Sequence, residues 1–251
     1  MRRPLLAAGL AGAVLLGGCA VRAPRPVRPV TAEALLGALA ARRAELTTLR
    51  ARARLHAGLR GAGTREALLV QRPDAVRVDV LSPFGLVLAF GARGTLLWAY
   101  PPSEGTRYEG PATPANLVRF VGAPVAIVDV VDLLLGLPPA RAPTGPPVLA
   151  TTRDGEYQLT VPLAGGAQTI WFAADTLAVR RAEETRDGAV ALRVAFDDYR
   201  DGFPHSLDIG APASGATARL EYEAVEPNAP LDPALFAPPP APRVLPLAEA
   251  P

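Results

Sequence analysis

Apolar and polar residues alternate over much of this chain, and that period of two constrains its fold more than any other feature. In residues 74–81, three valines occupy every second position and alternate with Arg77 and Asp79. Successive side chains of a β-strand point to opposite faces of a sheet, so the pattern predicts a strand with one buried face. Comparable stretches recur up to residue 225, separated by hairpin signals such as Asp187-Gly188. The sequence therefore predicts about ten to twelve antiparallel strands in one domain.

Three stretches have the spacing of helices instead. Thr31 is a typical N-cap residue for the first, and the second, residues 114–121, opens on a proline. The third, residues 125–135, is apolar on nearly every side apart from Asp129 and Asp132. A helix of this kind must be covered on most sides, and a sheet of many strands curls, so we expect this helix to fill the concave face. The two aspartates are either an acid pair or, as we favour, an exposed stripe.

The amino terminus has the pattern of a bacterial lipoprotein leader. Residues 1–18 combine a short basic head, an apolar stretch and two closing glycines, as a cleavable signal peptide does. The next residue, Cys19, is the single cysteine of the chain, and the Leu-Gly-Gly-Cys run resembles the lipobox at which bacteria acylate a cysteine. The alternative is an ordinary secretory signal with an incidental cysteine. We expect Cys19 to carry lipid, because two or more acyl chains hold a protein firmly on a membrane.

The composition after the leader divides the chain into a tether, a domain and a tail. Residues 19–30 are rich in proline and arginine, which predicts an extended tether, and residues 238–251 form a proline-rich tail that we expect to be disordered. The domain comprises residues 31–237. All 26 basic residues are arginines, and without Arg2 and Arg3 they equal the 24 acidic residues in number. This balance, with no basic stripe interleaved with aromatic residues, argues against nucleic-acid binding.

Residue types that carry catalysis or bind metals are few and scattered. The two histidines, His56 and His205, lie far apart in the sequence without the spacing of metal ligands. Ser206 follows His205 directly on a predicted strand, so their side chains point to opposite faces, and no Gly-x-Ser-x-Gly elbow occurs. The sequence thus predicts no enzyme, no metal site and no cofactor other than the covalent lipid on Cys19.

Two short motifs resemble those of the LolA/LolB-like family of lipoprotein carriers, and of its LolB-like outer-membrane members in particular. Residues 82–85, Ser-Pro-Phe-Gly, follow a predicted strand as a Pro-Leu-Gly turn does in the family. Residues 135–138, Leu-Gly-Leu-Pro, end the apolar helix as the family's Leu-Gly-Leu-Pro stop does. The resemblance implies a mainly β (α+β) fold, a half-open antiparallel β-barrel of about ten to twelve strands with a helical plug or lid over its concave face.

The resemblance also implies a function. It implies a membrane-anchored periplasmic lipoprotein that binds acyl chains of lipoproteins or lipids in an apolar cavity and helps to place them in the outer membrane. Its partners would be the outer membrane, through the lipid anchor, the lipoprotein or lipid cargo, and a periplasmic LolA-like carrier. Ala20 after the cysteine agrees with the enterobacterial sorting pattern for outer-membrane delivery, with the domain facing the periplasm. The alternative is a non-catalytic structural or scaffold lipoprotein of the same fold, with a filled core, that docks a protein partner.

Phe84 stands where the family has the leucine of its turn, which protrudes into solvent and helps to insert cargo into the membrane. The resemblance therefore implies a membrane-insertion role for Phe84, and the alternative is that its ring folds back onto its own strands. An acyl-chain cavity would be lined by apolar residues of the strands, each of which is otherwise ordinary core. The candidates are Val78, Val80, Leu86, Leu88, Phe90, Trp98 and Trp171. A void over the concave face would distinguish a carrier from a scaffold.

Overall fold

The computed structural model describes residues 29–58 and 63–249 of the chain. The expected signal peptide (residues 1–18), Cys19 and all but the last two residues of the expected tether lie outside the described residues. The described residues form one sheet of fourteen strands together with three α-helices.

The strands belong to two meanders, β1–β6 and β7–β13, followed by one further strand. They are β1 (Thr48–Ala57), β2 (Thr64–Gln71), β3 (Ala75–Ser82), β4 (Gly85–Arg93), β5 (Leu96–Tyr100), β6 (Thr106–Pro111), β7 (Val148–Thr151), β8 (Tyr157–Leu163), β9 (Gly166–Phe172), β10 (Val179–Arg186), β11 (Ala189–Arg200), β12 (Phe203–Ala211), β13 (Ala216–Pro227) and β14 (Arg243–Pro246).

The two meanders join where β1 pairs with β13. The order of strands is β14-β6-β5-β4-β3-β2-β1-β13-β12-β11-β10-β9-β8-β7, and among these neighbours only β14 and β6 run parallel. The sheet curls without closing, and β14 and β7 lie at its two edges. The mainly β class and the half-open antiparallel sheet are therefore confirmed, with fourteen strands rather than ten to twelve.

The three helices are α1 (Ala32–Glu45), α2 (Pro114–Val121) and α3 (Ile127–Leu134). Thr31 caps α1, since its hydroxyl oxygen accepts a hydrogen bond of 3.2 Å from the backbone N–H of Ala34. Gly122 ends α2 at a φ of 73°, a left-handed conformation that favours glycine. Apolar side chains of the helices and of the strands belong to a single buried cluster. One core therefore holds the helices against the sheet.

Asp129 and Asp132 are buried, which corrects the expected exposed stripe. Their exposed fractions are 7% and 4%. Arg141 donates two hydrogen bonds to the carboxylate of Asp129, at 2.7 and 2.9 Å, and Asp132 accepts from Arg72 and Arg43. A carboxylate can be buried when cations and hydrogen bonds compensate its desolvation. The arginines lie outside the helix, so the helical pattern of residues could not reveal them.

Residues 243–246 of the expected disordered tail form the edge strand β14, which corrects that expectation, and residues 233–236 before the tail lie against the outer face of the sheet. Trp98 donates its indole N–H to the carbonyl of Phe236 at 3.2 Å, and Arg77 donates to the carbonyl of Leu235 at 3.1 Å. β14 then pairs with β6. Proline removes backbone donors but leaves every carbonyl, so the donors of the sheet's side chains can hold a proline-rich segment in place.

Candidate functional site

An apolar cavity of about 500 Å³ lies between the concave face of the sheet and the helices α2 and α3. Strands β1–β5 and β11–β13 form one wall, and the two helices form the other. Its volume falls within the roughly 300–1,000 Å³ of typical ligand pockets, whereas protein interiors are close-packed with few voids larger than a water molecule. The protein's own side chains therefore leave part of the concave face unfilled.

The helices can cover this cavity because their apolar side chains recur on one side. Leu117 and Phe120 of α2, like Ile127 and Val130 of α3, are three residues apart, and all four line the cavity. The ring of Phe120 stacks on the ring of Phe90 in β4, with 5.0 Å between their centroids. This ring contact joins α2 to the sheet at the cavity wall.

Five of the seven expected cavity residues lie on β3 and β4, and only some of them reach the void. Val78 and Phe90 line it. Val80 and Leu88 are half-buried and pack against the core. Leu86, closer to the turn between the two strands, is 37% exposed. The cavity thus ends before the turn, and a partly exposed apolar strip continues from it.

The two tryptophans expected in the cavity lie elsewhere. Trp98 follows Leu97, which lines the cavity, so its side chain points to the opposite face of the sheet, where it contacts Phe236. Trp171 lies under the guanidinium of Arg181, whose central carbon is 4.6 Å from the ring centroid. The expectation for both tryptophans is corrected by the alternation of side chains across the sheet.

Glu66 is the one acidic side chain among the residues that line the cavity, and the sequence interpretation missed it. It is 3% exposed. The hydroxyl of Thr64 donates to its Oε1 at 2.6 Å, and its Oε2 has no hydrogen-bond partner among the described residues. Burial raises the pKa of the Glu66 carboxyl above its ordinary value, against the smaller opposing effect of the Thr64 bond. Glu66, Leu68 and Val70 occupy every second position of β2, and Leu68 and Val70 are buried. This alternation could have predicted that the side chain of Glu66 points inward.

The turn between β3 and β4 displays Phe84 to solvent. Its side chain is fully exposed, at 100%. The hydroxyl oxygen of Ser82 accepts from the N–H of Phe84 at 3.2 Å and donates to the carbonyl of Gly85 at 3.1 Å, and Gly85 adopts a φ of 120°. Exposing a phenyl ring forgoes about 2 kcal/mol of burial. The ring therefore does not fold back onto its strands, and the turn holds it outward.

An apolar strip connects this turn to the cavity. Val78 lines the cavity, and Ser82 begins the turn four residues later, about 13 Å along the strand at the usual rise per residue. Between them, Val80 and Leu88 are half-buried against the core and Leu86 is 37% exposed. The exposed apolar tip is therefore continuous with the part of the sheet that forms the cavity wall.

The histidines are separated in the fold as well as in the sequence. His56 lies on β1 with its Nε2 3.9 Å from the carboxylate of Glu221, and His205 lies on β12 edge-on to Phe203. Within residues 29–58 and 63–249, no three His, Cys, Asp or Glu side chains are grouped so that they could hold a metal ion. None of the helices in these ranges has the length and apolar character needed to cross a membrane.

No protein-family model matches the sequence, and no curated protein matches it significantly. Solved structures do match the fold. A Vibrio parahaemolyticus domain described as an outer membrane lipoprotein-sorting protein has a TM-score of 0.55 at 14% identity, over 82% of this chain and 97% of its own. A DUF1329 family protein from Desulfovibrio piger has a TM-score of 0.55 at 13% identity, over 82% and 97% of the two chains. A LolA superfamily protein from Nitrosomonas europaea has a TM-score of 0.50 at 16% identity, over 84% and 99%. At these identities the likeness shows the fold, which is LolA-like.

Proposed function

We propose that this protein is a lipid-anchored lipoprotein of the outer membrane whose domain faces the periplasm. It binds acyl chains of lipoproteins or lipids in the cavity and helps to place them in the outer membrane. The observation that carries the proposal is the apolar void of about 500 Å³ under α2 and α3. The LolA-like fold supports it, because one structure with this fold is described as a lipoprotein-sorting domain.

The chemistry of the cavity suits an acyl chain. Transfer of a hydrocarbon chain from water into an apolar site is favourable by about 0.8 kcal/mol per CH₂ group. The cavity wall is formed mainly by aliphatic and aromatic side chains such as Val78, Phe90 and Ile127. A periplasmic LolA-like carrier would be the donor of the cargo, and the lipid on Cys19 would keep the receiving domain at its membrane.

A structural or scaffold lipoprotein of the same fold is the second candidate. Its function would rest on an outer surface, and nothing in that role requires an unfilled core. Close packing is the ordinary state of a protein interior, so a void of this size counts against the scaffold.

Filling the cavity is expected to abolish acyl-chain binding. Val78→Trp places an indole in the void, and we expect the affinity for a fluorescent polyene fatty acid to fall at least about tenfold, which is about 1.4 kcal/mol. The matched control is Val148→Trp, because Val148 is 62% exposed on the edge strand β7, far from the cavity wall. Probe binding is measured by fluorescence titration, and thermal unfolding verifies that both variants fold. Equal affinity of Val78→Trp and the wild type would contradict binding in this cavity.

Removing the lipidation site is expected to release the protein from the membrane. Cys19→Ser removes the thiol that would be acylated, and the firm hold of several acyl chains is lost with it. Cell fractionation followed by carbonate washing measures the change, and Ala23→Ser in the expected tether is the matched control. A Cys19→Ser protein that stays in the washed membrane fraction would contradict the lipid anchor.

A further inference from the structure

Glu66 is a polar group in an otherwise apolar part of the cavity wall. One carboxyl oxygen, Oε1, accepts the hydrogen bond from Thr64, while Oε2 is buried and has no partner among the described residues. A buried polar atom without a partner costs free energy, since it has lost its hydrogen bonds to water. Because Glu66 is also one of the residues that line the cavity, an atom of a bound ligand is a candidate to complete this hydrogen bond.

The surroundings of Glu66 favour its neutral form. Two effects act on its pKa: burial, which raises it, and the Thr64 hydroxyl, which lowers it to a smaller extent, with no contribution from a cation. A buried carboxyl without a cationic partner keeps its proton more readily than one in water. With Oε1 occupied by Thr64, a neutral Glu66 would carry its proton on Oε2, and that oxygen would then be a hydrogen-bond donor.

The position of Glu66 defines which end of a ligand it would meet. In the register of the sheet, Glu66 pairs with Val80, and Leu68 pairs with Val78 one step deeper. Val80 lies two residues before the turn that begins at Ser82 and carries the exposed phenyl ring. Glu66 is therefore at the end of the cavity nearer the turn, where an acyl chain inserted by its methyl end would leave its carbonyl group.

We propose that neutral Glu66 donates a hydrogen bond from Oε2 to the ester or amide carbonyl of a bound acyl group. The ligands of this cavity would then be acyl esters and amides, which carry an acceptor at the head of the chain, rather than plain hydrocarbons or alkyl amines. This inference rests on the proposed function, because it assigns the polar contact of the same acyl-binding cavity.

The test measures how three ligands of matched chain length displace a fluorescent polyene fatty acid from the full chain in detergent-free buffer. The ligands are methyl tetradecanoate, hexadecane and pentadecylamine, whose main chains contain the same number of non-hydrogen atoms. We expect the ratio of ester affinity to alkane affinity to be about five- to tenfold higher in the wild type than in Glu66→Leu, the gain that one buried hydrogen bond gives. Glu66→Gln, whose amide N–H₂ still donates, should keep most of the wild-type ratio. The ratio compares two ligands on the same protein, so it does not depend on the folded fraction of a variant.

Several outcomes would overturn the inference. They are a ratio of ester affinity to alkane affinity that is the same in Glu66→Leu as in the wild type, a ratio that falls as far in Glu66→Gln as in Glu66→Leu, and a wild-type protein that binds the amine more tightly than the ester. The last would mean that Glu66 is ionised and selects a cation. If neither the fluorescent probe nor any of the three ligands binds the wild type, the proposed function fails first, and its failure is thereby distinguished from a failure of Glu66 alone.

Discussion

Replacing Phe84 with glutamate is expected to abolish the transfer of a bound acyl ligand into lipid vesicles while leaving the affinity for that ligand unchanged. The phenyl ring is fully exposed at the tip of the β3–β4 turn, and insertion into the hydrocarbon region would recover the burial that the fold forgoes, about 2 kcal/mol. Glutamate removes this gain and adds a charge that hydrocarbon disfavours. Since about 2 kcal/mol corresponds to a factor of about 30, we expect the transfer rate to fall at least tenfold.

Ligand binding should survive the substitution because Phe84 does not line the cavity. The turn should survive it as well, since its hydrogen bonds use the backbone N–H of Phe84, the carbonyl of Gly85 and the hydroxyl of Ser82. Phe84→Leu keeps an apolar tip and should retain most of the transfer rate. Val148→Glu, which puts the same charge at an exposed valine of the edge strand β7, is the matched control.

The measurement follows a labelled acyl ligand as it leaves the protein for vesicles of phosphatidylethanolamine and phosphatidylglycerol. The rate is read from the decrease in fluorescence energy transfer between the protein and the ligand. Equilibrium titration of the same ligand reports binding separately. If Phe84→Glu delivers the ligand as fast as Val148→Glu does, the membrane-insertion role of Phe84 is removed. If Phe84→Glu fails to bind the ligand at all, the side chain acts in binding and the assignment must change.

The sequence predicts the sheet well because a strand's alternation is a local property. The valines of residues 74–81 and the helix that Pro114 opens follow from patterns within a dozen residues. The sequence predicts the residues that line the cavity less well. Strand β5, for example, has the sequence Leu-Leu-Trp-Ala-Tyr and is apolar on both faces. Its Trp98 is covered from the outside by Phe236, 138 positions away in the chain. No local pattern reveals which of its two faces meets a distant segment.

The polar groups of the core escape prediction for the same reason. Asp132 lies in a helix whose other sides are apolar, and its partners Arg72 and Arg43 are 60 and 89 positions away. A carboxylate on an apolar helix is usually exposed, and only the folded chain shows that cations surround this one. The alternation of Glu66 with Leu68 could have predicted that its side chain points inward. The cavity that Glu66 lines, however, exists only once the helices cover the sheet.

Replacing Asp132 with asparagine is expected to cost about 3 kcal/mol of the free energy of unfolding, the largest effect on stability that we predict for a single substitution. Arg72 donates to Oδ1 of Asp132 and also, at 2.8 Å, to the carbonyl of Leu46. Arg43 donates to the same carboxylate oxygen at 3.4 Å, and the N–H of Ala140 donates to Oδ2 at 2.9 Å. One carboxylate thereby joins α3 to α1 and to the segment between β2 and β3.

The cost arises because asparagine keeps the shape and one acceptor but not the charge. The side chain of Arg72 is only 17% exposed, so without Asp132 its charge is left in a partly desolvated place. Losing one partner of a buried ion pair typically costs about 3–5 kcal/mol, and asparagine's remaining acceptor puts the expectation at the lower end. The matched control is Glu226→Gln. Its pair with Arg50 is solvent-exposed on both sides, and such pairs contribute about 0–1 kcal/mol.

Urea unfolding, followed by circular dichroism, measures the free energy of unfolding of both variants. The slope of this free energy against urea concentration should be equal in the two, which verifies that their unfolding transitions are of the same kind. A double variant, Asp132→Leu with Arg72→Met, separates the lost charge pair from lost packing. It should recover at least about 1 kcal/mol relative to Asp132→Leu alone, because the charge of Arg72 is then no longer left without its carboxylate. If Asp132→Asn costs no more than Glu226→Gln, Asp132 does not hold α3 in place through its charge, and the packing of Val131 and Leu135 must hold the helix over the cavity instead.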